Sequence, residues 1–187
     1  MRSTIKVFQV LETLCMDNPA GVAELSSRLA VKRSSMHRFL SVLTHQGYVE
    51  KNANTGKYCA TLKVFQLGVS VRNKLSLIHL ARPYMEELGR KFHETINPAL
   101  FIENSVVVID KVESLETLRI DHGIGRRLPA YCTALGKVFL ANLAKEELEK
   151  YCEEQKLQAF TKRTVTSSKE LKRDLKSVRE EGFAIDD

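Results

Sequence analysis

The feature that most constrains this chain lies between residues 33 and 60. Met36, Phe39, Leu40 and Leu43 recur at helical spacing. Gly47 closes that run, at a position where a left-handed backbone costs only glycine little. Tyr48-Val49-Glu50-Lys51 and Lys57-Tyr58-Cys59-Ala60 then flank a turn-rich Asn52-Ala53-Asn54-Thr55-Gly56, which reads as a β-hairpin. Upstream, Ile5, Phe8, Leu11, Leu14 and Cys15 place a first helix, which Asn18, Pro19 and Gly21 break. Val22, Leu25 and Leu29 give a second helix, over Val22 to Ala30. Three short helices and a hairpin in about sixty residues is the layout of a winged helix-turn-helix.

The charge pattern agrees. Residues 1–61 hold eight Lys/Arg against four acids, so one third of the chain carries four of its six excess positive charges. The third helix has an outward polar face at Lys32, Arg33, Ser34, Ser35, His37, Arg38 and Ser41, and the hairpin adds Lys51, Asn52, Asn54 and Lys57. Arginine pairs with guanine in two bonds, and serines and helix N-terminal amides suit phosphate oxygens. These eleven residues are the candidate DNA contacts.

Beyond residue 61 the pattern changes. Leu62 to about Asn73 and Leu77 to His93 read as helices, with Pro83 in the first turn of the second or kinking it. Thr95 to Glu103, Ser105 to Val112 and Glu116 to Asp121 read as strands. Thr133 to Leu143, Lys145 to Glu154 and Ser168 to Glu181 read as helices. The expected class is α+β: a winged helix-turn-helix over 1–61, a linker helix over 62–75, and a mixed domain over 76–187.

Other chemistries find little support. A hydrophobic share of 43% argues against disorder. No apolar run reaches 18 residues, and the N-terminus lacks a signal-peptide core, so a cytoplasmic protein away from membranes is expected. Cys15, Cys59, Cys132 and Cys152 form no CxxC and read as reduced, the first three as core residues. The five histidines lack zinc-ligand spacing with cysteines. No nucleophile–base set is evident, and neither Gly123-Ile124-Gly125 nor Leu135-Gly136-Lys137 completes a nucleotide-binding motif, so neither an enzyme nor a bound cofactor is expected.

The residues Gly21-Val22-Ala23-Glu24-Leu25, Ser34 to Leu40, Gly47-Tyr48-Val49, Lys57-Tyr58 and Leu62 to Gly68 together resemble the IclR (isocitrate lyase regulator) family of bacterial transcription factors. So do Gly125 to Pro129, Thr133 to Lys137 and Val178 to Asp187. Where the family usually caps the recognition helix with Ser, this chain has Lys32, which weakens the cap by roughly 1 kcal/mol.

The resemblance implies a GAF-like C-terminal domain that binds a small carboxylated metabolite. Its pocket would involve Ile120, Tyr131, Cys132, Thr133, Ala134, Leu135, Gly136 and Asp186, with the free amides at the start of the Thr133 helix holding the carboxylate. Tyr131 to Ala134 and Arg126-Arg127 look most similar to regulators of sugar-acid catabolism. In the family, further strands and a last helix follow the stretch like Gly182 to Asp187, which implies a C-terminally incomplete domain with an open sheet edge.

The expected partners are a near-palindromic double-stranded operator, the metabolite, and a second copy of the chain, with a tetramer left open. The alternative is a truncated sensor or oligomerisation module without regulatory activity of its own.

Overall fold

The computed structural model describes residues 2–16, 19–116 and 123–186. The chain divides into two units, residues 1–74 and 75–187.

In the first unit, α1 (Arg2–Met16), α2 (Val22–Arg28) and α3 (Arg33–His45) precede β1 (Val49–Lys51), β2 (Tyr58–Ala60) and α4 (Leu62–Arg72). The inward stripe of α3 is the one its periodicity gives: Met36, Phe39, Leu40 and Leu43 are all buried. They pack with Val10, Leu14, Ala20, Leu25 and Val49. Gly47 adopts φ +73° and turns the chain into β1. β1 and β2 pair antiparallel, with Val49 opposite Ala60 and Lys51 opposite Tyr58. Ala20 exchanges backbone bonds of 3.0 and 2.9 Å with Tyr58, tying the α1–α2 connection to the hairpin.

The expected face of α1 needs correction. Ile5 and Phe8 are 55% and 61% exposed, and Cys15 is exposed, not core. The buried stripe runs through Val10 and Leu14, with Val7 and Leu11 half-buried beside it. Two apolar stripes lie side by side on this helix, and only one meets α2 and α3. Helix α4 carries Leu62, Val64, Phe65, Leu67, Val69 and Val71 yet buries none of them. A helix apolar on most sides normally calls for burial.

In the second unit, α5 (Ser76–Phe92) runs through Pro83 without a break and ends on His93 at φ +58°. β3 (Ala99–Ile102), β4 (Ser105–Val108) and β5 (Arg127–Pro129) form one antiparallel sheet in that order. Glu103 and Asn104, both at positive φ, make the two-residue turn between β3 and β4. The expected strand from Thr95 shrinks to β3, with Ile96 only bridging to Val112. Most of the expected Glu116–Asp121 strand lies outside the described residues, while β5 falls where no element is expected.

A single 3-10 turn (Ala130–Cys132) leads into α6 (Ala134–Ala141), followed by α7 (Lys145–Glu154) and α8 (Ser168–Glu181). Val106, Val108 and Leu128 of the sheet meet Leu140, Tyr151, Leu171, Leu175 and Val178 of the helices. Phe101 stacks on Phe139 at 5.9 Å and tilts against Tyr151 at 6.4 Å. Among the described residues no helix is long and apolar enough to cross a membrane.

Candidate nucleic-acid interface and small-molecule cavity

With its apolar stripe buried, α3 turns its other face to solvent. Lys32, Arg33, Ser34, His37, Arg38 and Ser41 are exposed and Ser35 is half-buried. Among the described residues none of their side chains makes a hydrogen bond or ion pair with the protein; Arg38 only lies 5.9 Å above the Phe39 ring. Lys32 is the N-cap, in extended conformation, and its side chain caps nothing. The first amides of α3 are therefore open to an outside acceptor such as a phosphate. Val42, 49% exposed, lies on the same outward face near Arg38. It is an apolar group of the kind that meets a thymine methyl. Sequence periodicity passes over it, because that signal sorts apolar residues inward.

The hairpin tip is exposed at every residue from Lys51 to Lys57. The Asn52 side chain, though exposed, has its oxygen engaged within the tip. Its Oδ1 accepts from the amides of Asn54 (2.9 Å) and Thr55 (3.0 Å), an Asx turn that shapes the tip. Asn52 therefore orders the Asn54–Thr55 turn of the tip. Lys51 lies 5.7 Å above the Tyr58 ring. At the opposite end of α3, α4 is bonded on. Thr61 Oγ1 donates to the Gly47 carbonyl (2.6 Å), and Lys63 Nζ donates to the Gln46 carbonyl (2.6 Å) while sitting 4.4 Å over the Tyr48 ring.

In the second unit a cavity of about 280 Å³ opens beside the 3-10 turn. Tyr131, Cys132 and Asp186 line it, together with Arg126, Lys137, Phe160 and Arg163. Burial pushes the Cys132 thiol up, the Asp186 charge adds to this and the Lys137 charge opposes it. The Tyr131 hydroxyl is committed to the Gln158 backbone, donating to its carbonyl (2.8 Å) and accepting from its amide (2.9 Å); its ring stacks on Phe160 at 6.5 Å. A wider groove of about 920 Å³ shares Lys137, Arg163 and Ile185 and runs along α8.

Four of the sequence-derived pocket residues do not line the cavity. Thr133 caps α6, donating to the Pro129 carbonyl (2.9 Å) and accepting from the Gly136 amide (3.3 Å). Gly136 presses on Ala130, where a Cβ would come within 2.2 Å of backbone atoms. Ala134 and Leu135 lie on the first turn of α6, Leu135 against the core. Ile120 lies outside the described residues. The cavity also takes the cations Arg126, Lys137 and Arg163, none of which the sequence names as a pocket residue, although Arg126 and Lys137 lie in stretches that carry the family resemblance. Among the described residues, no three His, Cys, Asp or Glu could hold a metal ion.

A helix-turn-helix with a hairpin, joined to a sheet-and-helix unit bearing a cationic cavity, can be compared with known proteins. Residues 3–53 match the IclR helix-turn-helix domain, and residues 69–187 match the C-terminal domain of the bacterial transcriptional regulator IclR. The chain belongs to the IclR family. It is 39% identical over 184 residues to the HTH-type transcriptional regulator KdgR of Escherichia coli K12, covering 98% of this chain and 70% of that protein. Identity to KdgR of Dickeya chrysanthemi is 36% over 184 residues, covering 98% of this chain and 60% of that one.

Among solved structures, the IclR of Thermotoga maritima matches with a TM-score of 0.68 at 26% identity, over 100% of this chain and 75% of that one. An IclR homolog from Microbacterium hydrocarbonoxydans, complexed with 4-hydroxybenzoate, gives a TM-score of 0.81 at 23% identity over 98% of this chain and 76% of that one. At that identity the likeness speaks for the fold alone.

Proposed function

We propose that this IclR-family chain is a sequence-specific DNA-binding transcriptional regulator whose operator affinity responds to a small carboxylated metabolite of the sugar-acid class. The carrying observation is α3: its apolar stripe is wholly buried while Arg33, Ser34, His37, Arg38 and Ser41 stand exposed without internal polar partners among the described residues. Ser34 and Ser35 with the open N-terminal amides meet phosphates, Arg33, His37, Arg38 and Ser41 face base edges, and Lys51, Asn54 and Lys57 reach the backbone from the hairpin. The matched helix-turn-helix domain favours this reading over a sensor module without regulatory activity, and the kinship with transcriptional regulators favours it over an enzyme.

One reading head covers too few base pairs for useful specificity, so the working unit is a homodimer on a near-palindrome. The exposed apolar residues Ile5 and Phe8 of α1 and Leu62, Phe65 and Val71 of α4 supply its contact. The metabolite occupies the cavity at Tyr131, Cys132 and Asp186. At about 280 Å³ the cavity suits a small molecule, near the lower end of the range for such pockets. Cations line it for a carboxylate, and Asp186 accepts from hydroxyls.

Fluorescence anisotropy on DNA from upstream of the chain's own gene, beside a scrambled duplex at two salt concentrations, tests the DNA reading. Tight binding to the native duplex that weakens steeply with salt is expected; equal weak binding to both duplexes sinks it. Arg38→Ala should lose the preference with an unchanged melting temperature. Phe39→Ala, at a side chain only 5% exposed, should destabilise the unit by about 3–5 kcal/mol.

A further inference from the structure

One cation of the cavity wall already has a partner outside the cavity. Lys137, on the first turn of α6, places its Nζ 2.8 Å from Asp174 Oδ2 on α8. The lysine side chain is 17% exposed and the aspartate 40%. Lys137 borders both the cavity and the groove along α8, whereas Asp174 borders only the groove. The lysine thus stands at the junction of the two spaces, reachable from either.

The asymmetry of exposure sets the energetics. Asp174 keeps much of its hydration, so a half-exposed ion pair of this kind contributes little. Releasing Asp174 returns it to water at small cost. Lys137 is mostly covered, and a carboxylate meeting it inside the cavity does so with less water between the charges, where the attraction is stronger. An ammonium has three donors, so the exchange keeps it hydrogen-bonded throughout. Arg126 and Arg163 on the same wall add positive potential, and Asp186 discriminates against a second acidic group on its side of the cavity.

We propose that Lys137 is the carboxylate anchor of this cavity and that Asp174 is its internal competitor, so that a hydroxylated monocarboxylic acid binds by taking Lys137 from Asp174. The exchange removes an α6–α8 tie while the buried contacts of Leu171, Leu175 and Val178 keep α8 in place. Binding is thereby read out as a loosening of α8 at Asp174. This rests on the reading that the cavity takes a carboxylated metabolite.

Isothermal titration calorimetry on the 187-residue chain, with D-gluconate and D-galacturonate as probes and D-glucose as the uncharged control, tests it. Asp174→Asn should bind the acid about threefold more tightly, because a weakly held competitor is gone, and Lys137→Met at least about tenfold more weakly. Asp174→Glu, which keeps the competitor, should stay within about twofold of the parent. Melting curves accompany each variant, and Asp174→Ser replaces the asparagine if that variant is unfolded. If the parent binds an acid and removal of Asp174 leaves affinity unchanged or weaker, or Lys137→Met binds equally well, the exchange is overturned while the acid-effector reading stands. If neither parent nor the Asp174 variants bind either acid, the acid-effector reading fails and the exchange with it.

Discussion

Lys32 sits where a helix ordinarily places a hydroxyl or amide side chain over its first amides, and it leaves those amides uncapped. Lys32→Ser should therefore stabilise the N-terminal unit by about 1 kcal/mol. The same change should flatten the salt dependence of DNA binding by the equivalent of one phosphate contact, a slope change of about 0.9. Urea unfolding and salt titrations measure the two effects separately; greater stability with an unchanged slope would place Lys32 away from phosphate. Gly136 makes the opposite argument, since its importance lies in packing. A methyl there would sit 2.2 Å from Ala130 Cα and its carbonyl oxygen. Gly136→Ala should cost about 1–3 kcal/mol or more, because backbone rather than a pliable side chain must move. Gly123→Ala, with nothing within 4 Å of the new methyl, is the control in thermal melts.

Secondary structure was legible wherever one apolar stripe coincided with one buried face. The stripe of α3 specifies its inward residues without ambiguity, and α7 and α8 begin and end where the periodicity puts them. Helix α1 misleads because Ile5 and Phe8 form as good a helical stripe as Val7, Val10 and Leu14, with Leu11 between the two. Which stripe meets α3 depends on tertiary packing that spacing does not encode. Strand β5 was invisible for a related reason: Arg127-Leu128-Pro129 is three residues long and is a strand only because β4 pairs with it. At the cavity, Tyr131, Cys132 and Asp186 of the expected pocket residues line the wall, and folding adds Lys137 and Arg163, which the sequence reading did not name as pocket residues. Asn52 is polar and exposed at a tip, and spacing does not reveal that its Oδ1 also holds the tip's own amides.

At the scale of the whole molecule, the two units should respond differently to alkali. Tyr151, 2% exposed, belongs to the second unit's core. Burial pushes its phenol from 10.0 up to about 12, against a smaller opposing hydrogen bond from the Tyr131 backbone. An acid whose folded pKa exceeds its unfolded value stabilises the fold while protonated. That contribution is full below pH 10.0 and disappears as the pH rises to about 12. The second unit's melting temperature should fall across this window, and Tyr151→Phe should flatten the fall; scanning calorimetry against pH, with the N-terminal unit as internal reference, measures it. An equal fall in the phenylalanine variant would assign the loss to other groups. The bonds from Thr61 and Lys63 to the Gly47 and Gln46 carbonyls, just past the end of α3, have a mechanical meaning as well. They fasten the start of α4 to the exit of α3, so a twist applied along α4 should reach the reading surface with little play in the joint.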